Sequence, residues 1–147
     1  MRLLMCGLLA SMVLGADATG VKTVYLLPMS GGLDQYLANR LTAAQVFRVV
    51  TDPKLADAIF TDQLGEAFEQ KFAILYPPPD ADDTDAKDDN KPQPHASSFG
   101  RGRGTVFLVD VKSHAVIWSL YEKRSGSKPA MLDRTAVHIV QQLKKQK

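Results

Sequence analysis

Residues Gly104 to Lys123 read GTVFLVDVKSHAVIWSLYEK, two runs rich in β-branched and aromatic residues around a short polar break. Thr105 to Val111 and Ala115 to Tyr121 are the runs, and Lys112-Ser113-His114 is the break. That composition and punctuation predicts a β-hairpin. Neither run alternates cleanly: Val106 to Val109 are consecutive apolar residues, as are Val116, Ile117 and Trp118. Strands apolar on both faces sit in the middle of a sheet with a layer on each side. The hairpin is therefore expected at the centre of the fold, and it carries no chemistry of its own.

The N-terminus predicts a destination. Met1-Arg2 is followed by the apolar run Leu3 to Leu14 and then by the small residues of Gly15-Ala16-Asp17-Ala18. This is the layout of a secretory signal peptide spanning residues 1–18, cleaved after Ala18, with Ala16 as the second choice. The apolar run is shorter than the ~20 residues a membrane-spanning helix needs. The sole cysteine, Cys6, lies inside it, too early to be a lipoprotein's lipidated residue, so the mature chain 19–147 has no thiol or disulfide chemistry. Its length suits one domain. A net charge of +2 gives no global reason to expect nucleic acid as a partner.

Val21 to Met29 reads as an opening strand, and Ser30-Gly31-Gly32 as a turn. Leu33, Tyr36, Leu37, Leu41 and Ala44 then repeat at helical spacing. Val46 to Val50 reads as a second strand, Asp52-Pro53 as the start of a short helical turn, and Ala58 to Phe60 as a third strand. Leu64, Ala67, Phe68 and Phe72 follow helical spacing behind Asp62 as a cap, although Gly65 interrupts that pattern. From Pro77 to Arg103 the chain is rich in proline, aspartate, serine and glycine, and a disordered insertion is expected there because little of it can be buried. Pro129 opens a last helix with Leu132, Ala136, Ile139, Val140 and Leu143 on one face. The order β-α-β-β-(α)-loop-β-β-α predicts an α+β (α/β-like) fold, a mixed sheet of four to five strands with two to three helices.

Ser30-Gly31-Gly32-Leu33-Asp34, between a strand and a helix, resembles the pyrophosphate loop of the ATP pyrophosphatases, such as GMP synthetase and asparagine synthetase. That resemblance implies phosphate held by backbone N–H groups at a helix N-terminus. Gln35 stands where those enzymes carry serine, and a chain this short lacks their longer run of strands and helices. The acidic run Pro79 to Asn90 does not satisfy the EF-hand register: from Asp80 the sixth position is Asp85 and the twelfth Lys91, and from Asp83 a ligand position falls on Lys87. A solvated charged loop is the simpler reading. His95, His114 and His138 have no metal-ligand spacing, and no Gly-x-Ser-x-Gly elbow occurs. His114 reads as a turn residue, histidine being enriched at positive φ. No cofactor, metal or catalytic residue is expected. Arg101 and Arg103, in the Gly-Arg-Gly-Arg-Gly lead-in to the hairpin, and Trp118 are the candidate partner contacts, although core is the first reading of Trp118.

The long-range pattern runs from Leu26-Leu27-Pro28-Met29 through Val46-Phe47-Arg48-Val49-Val50 and Leu55-Ala56-Asp57-Ala58-Ile59-Phe60 to the hairpin ending Val116-Ile117-Trp118-Ser119. This resembles small α/β domains of bacterial envelope proteins: the TolB amino-terminal domain, the curli secretion component and the penicillin-binding-protein activator lipoproteins. The glycine those domains carry after the last aspartate is missing, with His114 nearby, as is the lipid-anchoring cysteine. The resemblance implies an exported, periplasmic or extracellular, non-enzymatic module that binds another envelope protein. A small-ligand carrier is the alternative, and a nucleotide-binding enzyme using Ser30 to Asp34 the least favoured.

Overall fold

The computed structural model describes residues 18–78, 104–123 and 126–146. A five-stranded mixed sheet runs in the order β2-β1-β3-β4-β5. The strands are β1 (Thr23–Leu26), β2 (Arg48–Val49), β3 (Ala58–Thr61), β4 (Thr105–Asp110) and β5 (Val116–Tyr121). The first three are parallel, and β4 and β5 are antiparallel to their neighbours. Three α-helices cover the sheet: α1 (Leu33–Ala44), α2 (Glu66–Leu75) and α3 (Pro129–Lys145). This is the α+β architecture expected from the sequence.

Side-chain alternation divides the core into two layers. Val24, Ala58, Phe60, Val106, Leu108 and Trp118 face α1 and α3, meeting Leu33, Leu37 and Leu41 from α1 and Leu132, Ala136, Ile139, Val140 and Leu143 from α3. Ile59 and Val109 face the other way, against Phe68 and Phe72 of α2. Full burial of an aliphatic or aromatic side chain contributes roughly 1.5–3 kcal/mol. The longer α3 stripe therefore anchors its helix more firmly than the two phenylalanines anchor α2.

The hairpin is not the centre. Its first strand, β4, is buried on both faces, but β5 is the sheet's edge, with Val116 and Tyr121 exposed. The central strand is β3, whose four residues are all buried. Consecutive apolar residues in β5 have another cause. Pairing passes from Leu108↔Trp118 to Val109↔Val116, which makes Ile117 the extra residue of a β-bulge. A bulge twists an edge strand and discourages another strand from adding to it.

Other boundaries also shift. The second strand shrinks to two residues, and the helical turn after Asp52 is a 3-10 turn, Pro53–Leu55, with the Asp52 side chain accepting from the Lys54 N–H. Helix α2 starts one residue after Gly65, which takes the N-cap position, so Leu64 lies outside the helix and is exposed. Asp62 does not cap it; its carboxylate turns to Ser30 instead. Most of the insertion expected at 77–103 lies outside the described residues, as does the leader apart from Ala18.

Candidate functional site

β1 and β3 are parallel neighbours, but the chain leaves them toward opposite faces, β1 into α1 and β3 into α2. The crevice at the C-terminal ends of two such strands is where open α/β sheets bind ligands. Here it is built from Met29 to Asp34 on one side and Asp62 to Gly65 on the other. The fold thus delivers the Ser30-Gly31-Gly32-Leu33-Asp34 turn to the place where chemistry would be sought.

Gly31 and Gly32 both have positive φ, +72° and +78°, which side-chain-bearing residues rarely adopt. They let the chain turn sharply from β1 into α1, and the N–H of Gly32 donates back to the Met29 carbonyl at 3.0 Å. Gly32 supplies no capping side chain. Asp34, inside the helix, reaches back to the turn instead: its Oδ1 accepts from the Met29 N–H at 3.0 Å, and its Oδ2 from the Gln35 side-chain amide at 2.8 Å. Asp62, at the end of β3, accepts from the Ser30 N–H at 2.8 Å and ties the two loops together. Both aspartates are buried, and neither has a lysine or arginine partner among the described residues. Two carboxylates therefore occupy the position in which a phosphate would require donors.

Trp118 lies in the core, 5% exposed and edge-on to Phe60 with ring centroids 6.3 Å apart. Its indole offers no surface to a partner, which corrects its place among the candidate contacts and agrees with its first reading as core. Arg101 and Arg103, like His95, lie outside the described residues. His114 takes φ +56° in the hairpin turn, as its residue type suggested, and packs its ring on Phe72. His138 joins α3 to the end of β5: its Nδ1 is 2.5 Å from Glu122 Oε2, and Gln142 Nε2 is 3.0 Å from its Nε2. The sequence hides this link because Glu122 and His138 belong to different elements; only the i, i+4 spacing of His138 and Gln142 is legible. Among the described residues no three histidine, aspartate or glutamate side chains gather as a metal site, and no helix is long and apolar enough to cross a membrane.

The other feature of note is the edge at β2. The N–H of Arg48 donates to Lys22 and that of Val50 to Val24, so the alternation of a parallel ladder turns the backbone of Val49 outward. An open groove of about 450 Å³ runs beside it, lined by Thr42 and Gln45 at the end of α1 and by Phe47, Arg48 and Val49. Arg48 is exposed, and it has no ion pair among the described residues. No protein-family model, curated protein or solved structure matches this chain.

Proposed function

We propose that this chain is an exported, non-catalytic accessory protein of the cell envelope that binds another protein through the outer edge of its sheet. The observation that supports binding is the β2 edge, where the outward-facing backbone of Val49 borders an open groove lined by Thr42, Gln45, Phe47, Arg48 and Val49. An extended segment of a partner adds to such an edge through main-chain hydrogen bonds and places alternate side chains in the groove. The bulged β5 edge is less suited to this. The leader-like N-terminus and the envelope-domain resemblance support the location. The carboxylates at the Ser30–Asp34 turn favour a structural role for that turn over phosphate binding.

The test combines mass spectrometry of the exported chain with site-specific photocrosslinking from the envelope fraction. A mature mass starting at Thr19 or Asp17 is expected, with one dominant partner captured from a crosslinker at Thr42 or Gln45 and not from one at the exposed Gln141 of α3. An intact Met1 chain recovered from the cytosol would overturn export. Capture from Gln141 alone would overturn the β2 edge as the contact.

A further inference from the structure

We draw no further inference here: the strongest candidate, the pair of buried carboxylates Asp34 and Asp62 in the crevice between the ends of β1 and β3, is an acidic cluster whose observed hydrogen bonds all serve the turn that carries it, with no second observation pointing to a ligand.

Discussion

Thr23 and Asp57 hold each other by reciprocal side chain-to-backbone hydrogen bonds: the N–H of Thr23 donates to Asp57 Oδ2 at 2.9 Å, and the N–H of Asp57 donates to Thr23 Oγ1 at 3.0 Å. Asp57 Oδ2 also accepts from the N–H of Lys22 at 2.9 Å, while Thr23 Oγ1 donates to the Leu55 carbonyl. These bonds fasten the short crossover from β2 to β3 onto the start of β1. In the middle of that crossover the Tyr76 hydroxyl, just past α2, donates to the Pro53 carbonyl.

The N–H groups of Thr23 and then Lys22 hold the Asp57 carboxyl below the usual carboxylate range. Asp110 shifts the same way: burial there works upward, but hydrogen bonds from Ser113 and Lys112 outweigh it. A depressed folded pKa adds stability above the unfolded value of about 3.9, and that stability is lost as pH falls through the folded pKa. Urea unfolding should therefore show stability falling below about pH 4. Asp57→Asn is expected to cost about 1–2 kcal/mol at pH 7, toward the lower end for charge-assisted bonds because the residue is exposed, and to flatten the acid limb. Acid limbs that run parallel in parent and variant would assign the loss to other groups.

Gly104 is fixed by a close approach. A Cβ there would lie 2.0 Å from the Glu122 carbonyl oxygen, and its φ is +116°. Gly104→Ala should cost about 3 kcal/mol or more, through overpacking and backbone strain together. Gly20→Ala, where an added Cβ meets nothing within 4 Å, should stay within about 0.5 kcal/mol of the parent in thermal melts. Similar melting temperatures for the two variants would contradict the close packing of β4 and β5 at this point.

Asp34→Ala leaves the buried Met29 N–H without its acceptor, at a cost of about 1–3 kcal/mol. Asp34→Asn keeps a side-chain oxygen at the same position and should recover much of that loss. Equilibrium unfolding separates the two variants. Calorimetry with ATP and magnesium should give no heat of binding for the parent chain. Binding that Asp34→Ala abolishes while the variant remains folded would instead favour a nucleotide site at this turn.

Trp118 is the sole tryptophan. Packed on Phe60 within the sheet's first layer, it should emit at short wavelength and be far less quenched by acrylamide in the folded chain than in urea. Trp118→Ala should cost about 3–5 kcal/mol. Strong quenching in the folded state would place the indole at the surface.

Much of the fold was legible in local patterns. The Leu132, Ala136, Ile139, Val140 and Leu143 stripe predicted α3, and all five side chains are buried. The Leu33, Leu37 and Leu41 stripe predicted α1 equally well. These readings work because a helix with one strongly apolar face has a single way to bury it. The Asp52-Pro53 turn and the positive φ of His114 were likewise set by residue type.

What the sequence by itself determined was the element order, the helical faces and the turn chemistry, all of which depend on residues close together in the chain. Strand order was decided only in three dimensions. Ala58 to Phe60 could be read as a short strand but not as the central one, which it is because β1 and β4 both pair with it; the longer, more apolar β5 is left at the edge, with Ile117 in a bulge. The candidate site was divided in the same way. Ser30 to Asp34 could be read as a turn before a helix, but the partner that closes it, Asp62, comes from the loop after β3, 32 residues beyond Ser30. Pairing across such separations depends on which backbone groups the tertiary structure brings within hydrogen-bonding reach, and no local pattern in the sequence encodes that.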